Sequence, residues 1–143
     1  MELYIGGYGE NKLEYVKACL KSRKDGKNNP PAFEIADIKN FNQPDFFNSR
    51  QDKILVIDGL HLIIKELLEK GLNQEEILKK ISSLEALYSD IYFICDEIGN
   101  GIVPLEKSDR IWREVTGRIL CSLAARCKKV RRIVCGLAQV IKG

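Results

Sequence analysis

The chain has 143 residues, of which 45% are hydrophobic and 30% are charged. This size and composition predict one compact domain over residues 1–143 and exclude an intrinsically disordered chain. The net charge of +3 is modest, so electrostatics alone does not require a nucleic-acid partner.

The first half of the chain predicts strands that are separated by a helix and loops. Residues 3–5 form a short apolar strand, residues 10–23 carry apolar side chains at helical spacing, and residues 54–57 form a continuous apolar strand. A possible further strand covers residues 32–36. Continuous apolar runs are typical of strands that are buried on both faces.

The region of residues 22–50 interrupts this rhythm with dense loop signals and an aromatic stretch. Two interpretations are open. The region is either a pair of surface connections around a short strand, or Phe41, Phe46 and Phe47 cover a ligand or a neighbouring subunit.

The second half of the chain alternates predicted helices and strands. The helices cover residues 60–70, 73–87 and 110–127, and the strands cover residues 91–95 and 132–135. Gly71 separates the first two helices, Asn73 is a suitable N-cap, and Gly136 permits a tight exit from the last strand. The whole pattern predicts the α/β class, with a mostly parallel sheet and helices on both faces.

Cysteines and apolar runs indicate the environment of the protein. The five cysteines are odd in number and lack CxxC spacing, which favours reduced, buried thiols: Cys19, Cys95, Cys121, Cys127 and Cys135. No basic segment followed by a long apolar run opens the sequence, and all apolar runs are short. We therefore expect neither secretion nor a membrane span, and we expect a cytoplasmic location.

A run of basic residues lies between the last predicted helix and the last predicted strand: Arg126, Lys128, Lys129, Arg131 and Arg132. Such a run can bind phosphates or RNA. Basic side chains also stabilise the carboxyl end of a helix, where they face the negative end of its dipole. We favour the helix-cap interpretation and expect no nucleic-acid partner.

The loop after the first strand is rich in glycine and ends in a lysine: Gly6-Gly7-Tyr8-Gly9-Glu10-Asn11-Lys12-Leu13. A strand, a glycine loop and a helix N-terminus direct backbone N–H groups at an anion, and the lysine can reach nucleotide phosphates. A standard phosphate loop has glycine before this lysine and a hydroxyl residue after it. Asn11 tolerates a left-handed backbone, but Leu13 cannot ligate a metal ion.

Carboxylates follow two other predicted strands. Asp58 ends the strand of residues 54–57, where a phosphate-loop protein holds Mg²⁺; the alternative is a cap for the following helix. Asp96 and Glu97 follow the strand of residues 91–95 and open the segment Asp96-Glu97-Ile98-Gly99-Asn100-Gly101-Ile102-Val103-Pro104. Ligands of open α/β sheets bind at the carboxyl ends of the strands.

These motifs resemble the bifunctional adenosylcobinamide kinase and adenosylcobinamide-phosphate guanylyltransferase family of cobalamin biosynthesis. Family members carry a glycine-rich phosphate loop, an Asp-Cys-Leu-Thr-Leu segment and an Asn-Glu-x-Gly-x-Gly-Ile-Val-Pro segment. The Asp-Cys-Leu-Thr-Leu segment is similar to the residues that begin at Asp58, and the Asn-Glu-x-Gly-x-Gly-Ile-Val-Pro segment is similar to those that begin at Asp96. The Arg-x-Phe-Arg-Asp-x-x-Gly-Arg helix of the family is similar to residues 110–118, and its Ala-Gly-Leu-Pro strand exit is similar to residues 135–138.

The resemblance implies a P-loop NTPase-like fold and a set of roles. Lys12 would contact the phosphates of ATP or GTP, Asp58 would bind Mg²⁺, and Glu97 would lie in the metal or nucleophile region. The loop that cradles the nucleotide would comprise Gly6, Gly7, Gly9, Asn11, Lys12 and Leu13. The substrates would be a nucleotide and a corrinoid, whose aminopropanol hydroxyl is phosphorylated, and related enzymes form trimers.

The chain also departs from the family pattern. The segment that carries the guanylylated histidine is contracted here, and His61, the single histidine, lies where the family has threonine. We therefore expect no guanylyl transfer through histidine. His61 is either a helix-start residue packed near the end of the sheet, which we favour, or a polar contact to a phosphate or hydroxyl.

Three functions follow from these observations. The first is a kinase-like enzyme that phosphorylates adenosylcobinamide. The second is an inactive relative that binds a nucleotide or a corrinoid, because the phosphate loop is degenerate. The third, ranked well behind, is a nucleic-acid or interaction module that uses the basic run.

Overall fold

The computed structural model describes residues 1–24, 29–43, 45–47 and 51–143. Within these residues, one six-stranded sheet has the strand order β2-β3-β4-β1-β5-β6. The strands are β1 (Glu2–Gly6), β2 (Phe33–Ala36), β3 (Gln51–Ile57), β4 (Tyr88–Asp96), β5 (Lys129–Val134) and β6 (Leu137–Lys142). The first five strands pair in parallel, and β6 pairs with β5 in antiparallel orientation.

Helices connect the parallel strands. They are α1 (Lys12–Ser22), α2 (Ile38–Phe41), α3 (Leu60–Glu69), α4 (Gln74–Ser83) and α5 (Lys107–Arg126), with a 3₁₀ turn over Leu84–Ala86. Asn73 caps α4 as expected: its side chain accepts from the Glu76 N–H, and the Glu76 carboxylate accepts from the Asn73 N–H. Among the described residues, every helix is too short or too polar to span a lipid bilayer.

The two faces of the sheet bury different helices. Leu55 and Ile57 of β3 belong to a core that includes residues of α3, α4 and α5, whereas Ile54 and Val56 belong to a second core with Val16 of α1. This alternation follows from the pleat, which directs successive side chains to opposite faces. The predicted α/β class, with a mostly parallel sheet and helices on both faces, is confirmed.

The parallel pairing brings three chain segments to one edge of the sheet. β1 lies between β4 and β5, and the last residue of β1, Gly6, is opposite both Asp96 of β4 and Ile133 of β5. In the neighbouring pair, Ile57 of β3 is opposite Phe93 of β4. The residues that follow β1, β3 and β4 therefore share the carboxyl edge of the sheet.

Several predicted boundaries were wrong. The strand predicted over residues 132–135 is β5, which ends at Val134, because Cys135 and Gly136 both adopt positive φ in the turn to β6. β6 escaped prediction because it is an exposed edge strand with little apolar alternation. The helix predicted over residues 73–87 ends at Ser83, the helix predicted from residue 110 begins at Lys107, and the short helix α2 was not expected.

The aromatic stretch after β2 packs on the protein itself. Phe41, Phe46 and Phe47 are half-buried against the core that includes α3, α4 and α5, and their rings make edge contacts with one another. The Phe47 ring also meets the Tyr88 ring, at 6.4 Å between centroids. This packing matches surface connections around a short strand. Residues 44 and 48–50 of the stretch lie outside the described residues.

Each cation of the basic run pairs with a carboxylate. Its pairs are Arg126 with Glu85 at 2.9 Å, Lys129 and Arg131 with Glu2 at 3.7 and 3.6 Å, Arg132 with Glu97 at 2.8 Å, and Lys128 with Asp90. Arg126 alone of the run lies in the last turn of α5, so the helix-cap interpretation was wrong for the other four. Paired cations provide little free charge for a polyanion.

The close approach of β1 and β5 gives a test of the fold. A Cβ atom on Gly6 would lie 2.4 Å from the Ile133 carbonyl oxygen. We expect Gly6→Ala to lower the free energy of unfolding by about 2 kcal/mol or more, because backbone must shift. Urea denaturation measures this loss.

The matched control is Gly117→Ala. Gly117 lies within α5, and an added Cβ would have no atom within 4 Å. Alanine is more stable than glycine in a helix interior, so the free energy of unfolding of this variant should rise by up to about 1 kcal/mol. Equal effects of the two variants would contradict the close packing of β1 on β5.

Candidate active site

A cleft of about 610 Å³ lies at the carboxyl edge of the sheet. Its walls come from the loop after β1, the first turn of α1, the ends of β3 and β4, and the first turn of α3. The polar side chains that line it include Lys12, Asp58, His61 and Asp96. Of the predicted nucleotide-binding residues, the cleft is lined by Gly9, Asn11, Lys12, Leu13 and Asp58. Gly6 and Gly7 do not line it.

The glycine loop is built from residues with different local requirements. Gly6 ends β1 and is tied to packing against β5, whereas Gly9 has φ of +79° in the exposed part of the loop. Asn11 has φ of 56° and ψ of 32°, so the expectation that it accepts a left-handed backbone is confirmed. The loop closes onto α1 although asparagine stands where a phosphate loop has glycine.

Lys12 is the first residue of α1 and is only 6% exposed. Its ammonium lies 2.7 Å from the Asp96 Oδ1 atom and donates a hydrogen bond to the Gly7 carbonyl oxygen at 2.6 Å. A buried cation requires such partners because burial removes its hydration. The lysine is thereby held at the floor of the cleft.

Asp58 directly follows β3 and is half-buried. Its backbone N–H donates to the Ala36 carbonyl oxygen, which fixes its position beside β2. Burial raises the pKa of the Asp58 carboxyl group, the Asp96 carboxylate raises it further, and Lys12 partly opposes this. Gly59, which has φ of +73°, is the N-cap of α3, and the cap has no side-chain hydrogen bond, so Asp58 does not act as the N-cap.

His61 lies in the first turn of α3 and is 8% exposed. Its Nδ1 atom accepts a hydrogen bond from the Asp96 N–H at 3.3 Å, and its Nε2 atom lies 3.7 Å from Asp96 Oδ2. Trp112 of α5 donates its indole N–H to the His61 carbonyl oxygen at 2.7 Å. The favoured prediction of a helix-start residue near the end of the sheet agrees with this position.

Burial also determines how His61 titrates. It lowers the pKa of the imidazole, and the Asp96 carboxylate acts in the opposite direction. A neutral ring that accepts at Nδ1 carries its proton on Nε2, on the side of the Asp96 carboxylate.

The Glu97 carboxylate pairs with an arginine that does not line the cleft. Arg132 donates two hydrogen bonds to the Glu97 carboxylate, both at 2.8 Å, and the Glu97 N–H donates to the Gly6 carbonyl oxygen at 2.9 Å. Glu97 does not line the cleft, whereas its neighbour Asp96 does. No role was predicted for Asp96, although its position as the last residue of a buried strand was an available signal.

Leu13 lines the cleft and contacts the core on the α1 side of the sheet. It supplies no oxygen for a metal ion. The described residues contain no group of three or more His, Cys, Asp or Glu side chains that could hold a metal ion. Asp58 and Asp96 nevertheless fit Mg²⁺, because this ion is commonly held by one or two carboxylates together with substrate phosphates.

The fold and the cleft define an α/β protein with a mostly parallel sheet, in which a glycine-rich loop, a lysine and strand-end carboxylates lie at the carboxyl edge of the sheet. A family model described as cobinamide kinase / cobinamide phosphate guanyltransferase matches residues 28–141. The chain belongs to this family. The glycine loop precedes the matched residues, so the match does not depend on it.

One relative is the bifunctional adenosylcobalamin biosynthesis protein CobU of Escherichia coli strain K12. The two chains are 31% identical over 75 residues, which cover 52% of this chain and 41% of the relative. The match thus spans less than half of the relative's length.

A solved structure supports the fold. A protein of Pyrococcus horikoshii OT3 aligns over 100% of this chain and 86% of its own, with a TM-score of 0.53 and 10% sequence identity. At this identity the likeness concerns the α/β fold alone.

The raised pKa of Asp58 predicts a pH-dependent stability. The folded state binds the Asp58 proton more tightly than the unfolded chain does, so its stability falls as pH rises from about 3.8 through the raised pKa. We expect Asp58→Asn to increase the free energy of unfolding at pH 7.5. The gain should shrink as pH is lowered toward 3.8, and urea denaturation at several pH values measures it.

The control for Asp58→Asn is Asp109→Asn. Asp109 is partly exposed and pairs with Lys65 at 3.1 Å, and exposed pairs contribute about 0–1 kcal/mol. If Asp58→Asn lost stability at every pH, the charged Asp58 carboxylate would not destabilise the folded state, contrary to our expectation.

Proposed function

We propose that this protein transfers a phosphate group from ATP or GTP to the aminopropanol hydroxyl of adenosylcobinamide. Family membership supports a role in cobalamin biosynthesis. The observation that carries the proposal is the convergence of the glycine loop, Lys12 and Asp58 on one cleft at the carboxyl edge of the sheet. This is where α/β proteins of this class bind their ligands.

In this proposal the residues of the cleft act by position and charge. Backbone N–H groups of the loop and of the first turn of α1 would hold the phosphates, and Lys12 would neutralise charge on them. Asp58 and Asp96 would hold Mg²⁺, which neutralises developing charge on the transferred phosphate when it is bound. Glu97 remains a predicted metal ligand, but its pairing with Arg132 makes Asp96 the better candidate.

Guanylyl transfer through histidine has no support in the surroundings of His61. A nucleophilic imidazole needs an unprotonated nitrogen that is free to attack. Here Nδ1 accepts the Asp96 N–H, and Nε2 carries the proton and faces the Asp96 carboxylate. We propose that His61 does not carry GMP.

An inactive relative that binds a nucleotide or a corrinoid is the second candidate. The observation that favours it is Leu13, which contacts the core on the α1 side of the sheet and offers no hydroxyl to a metal ion.

By resemblance we also propose a cytoplasmic protein that forms homo-oligomers, with the trimer of related enzymes as the model.

Lys12 gives the direct test of the proposed function. We expect calorimetric titration with ATP or GTP in the presence of Mg²⁺ to show saturable binding, and Lys12→Ala to weaken it by at least about tenfold. Phosphorylation of cobinamide under the same conditions should fall at least as far. The loss follows from removing the cation that faces the phosphates.

Lys21→Ala is the control, because Lys21 lies in the same helix, on an exposed position of its last turn. It should leave binding and turnover unchanged. Binding without turnover in the wild type would favour the inactive relative. Turnover that survives Lys12→Ala would contradict the role proposed for Lys12, and an absence of turnover with either triphosphate would contradict the kinase proposal.

The single histidine allows a second test. We expect no covalent label on the protein after incubation with GTP labelled at the α-phosphate and Mg²⁺, measured after denaturation and gel separation. A label that is stable in alkali, labile in acid and absent from His61→Asn would show that His61 carries GMP and would overturn this part of the proposal.

A further inference from the structure

The charge of the cleft conflicts with the binding of a polyphosphate. Within the described residues, its lining includes four carboxylates and one ammonium group: Glu10, Glu14, Asp58 and Asp96 on the acidic side, and Lys12 on the basic side. A nucleoside triphosphate carries several negative charges. Glu14 is exposed and pairs with Lys17 at 2.7 Å, but the other three carboxylates still outnumber the ammonium group. The net charge of the cleft therefore disfavours the ligand that its glycine loop and lysine are suited to bind, unless further positive charge enters with it.

Asp96 also engages the one ammonium group of the lining. The Lys12 ammonium has three donors, and the Asp96 carboxylate and the Gly7 carbonyl oxygen occupy two of them, at 2.7 and 2.6 Å. The pair is close to neutral when viewed from the cleft. Lys12 thus attracts a phosphate much less than an unpaired lysine would.

Asp96 is held in this position from its other side. Its N–H donates to the His61 Nδ1 atom, and its second carboxylate oxygen lies 3.7 Å from His61 Nε2. Trp112 in turn fixes the His61 backbone through a 2.7 Å hydrogen bond. Asp96 is therefore a built part of the cleft rather than a mobile surface group.

The Asp96 carboxylate also supplies an oxygen near the loop, where Leu13 has no hydroxyl group. The loop offers no side-chain oxygen at that place, while β4 delivers a carboxylate beside Lys12. Hard divalent cations prefer such oxygens and complete their coordination with phosphates and water.

We infer that Asp96 makes polyphosphate binding in this cleft dependent on a divalent cation. In the free protein its carboxylate neutralises Lys12. When Mg²⁺ and a polyphosphate bind together, the carboxylate becomes a ligand of the cation beside Asp58, and Lys12 becomes available to the phosphates. The inference rests on the proposed function, because it concerns the same nucleotide cleft.

The test measures binding rather than turnover. Sodium tripolyphosphate and ATP are titrated calorimetrically into the wild type and Asp96→Asn, each in EDTA and in Mg²⁺. Asparagine has nearly the same shape as aspartate but carries no charge. We expect the wild type to bind both probes at least about tenfold more tightly with Mg²⁺ than in EDTA.

Asp96→Asn should show the opposite balance. In EDTA it should bind tripolyphosphate at least about tenfold more tightly than the wild type does, because one carboxylate is gone and Lys12 is free. Its gain from Mg²⁺ should be smaller than that of the wild type. In the presence of ATP, Asp96→Asn should bind Mn²⁺ about tenfold more weakly than the wild type does, as measured by electron paramagnetic resonance.

Asp90→Asn is the matched control. Asp90 lies near the other end of β4 and also pairs with a lysine, Lys128, but it does not line the cleft. It should retain the wild-type dependence on Mg²⁺. Asp96→Ala repeats the measurement with a second side chain, and circular dichroism confirms that each variant is folded at the temperature of titration.

The outcomes separate the inference from the proposed function. Metal-independent binding by the wild type, or unchanged metal-free binding in both Asp96 variants, overturns the inference alone. An absence of ATP, GTP and tripolyphosphate binding by the wild type in Mg²⁺ overturns the proposed function and the inference with it.

Discussion

The ion pair between Lys12 and Asp96 joins the two strands on which the site is built. Lys12 follows the loop of β1, Asp96 ends β4, and Gly6 and Asp96 lie opposite each other in the parallel pairing. A buried ammonium group without a partner would cost several kcal/mol, so the pair constrains the loop, the start of α1 and the end of β4 together. His61 extends the constraint to α3 through Asp96, and Trp112 extends it to α5.

The same arrangement explains why a degenerate glycine loop keeps its shape. Asn11 supplies the left-handed backbone, and Lys12 ties the loop to β4 by its side chain and to Gly7 by a hydrogen bond. What the loop lacks is an oxygen at Leu13. The chemistry that we propose therefore depends on the carboxylates at the strand ends. Asp58 is one of them, and burial and the neighbouring Asp96 carboxylate raise its pKa.

Periodicity and turn signals predicted the sheet class and most elements, because buried parallel strands such as β3 and β4 are continuous apolar runs. The exposed edge strand β6 carries no such signal. The resemblance assigned Lys12 and Asp58 to the nucleotide site, and both line one cleft. It selected Glu97 rather than the adjacent Asp96, which is the carboxylate that lines the cleft. Arg132, which is distant in sequence, pairs with Glu97, whereas Asp96 lines the cleft.

The most direct measurement is a crystal structure with Mn²⁺ and a non-hydrolysable ATP analogue, with anomalous scattering used to locate the metal. We expect one Mn²⁺ ion in contact with the carboxylates of Asp58 and Asp96, and analogue phosphates against Lys12 and the glycine loop. A metal ion bound by Glu97, or an analogue bound away from the cleft, would contradict it.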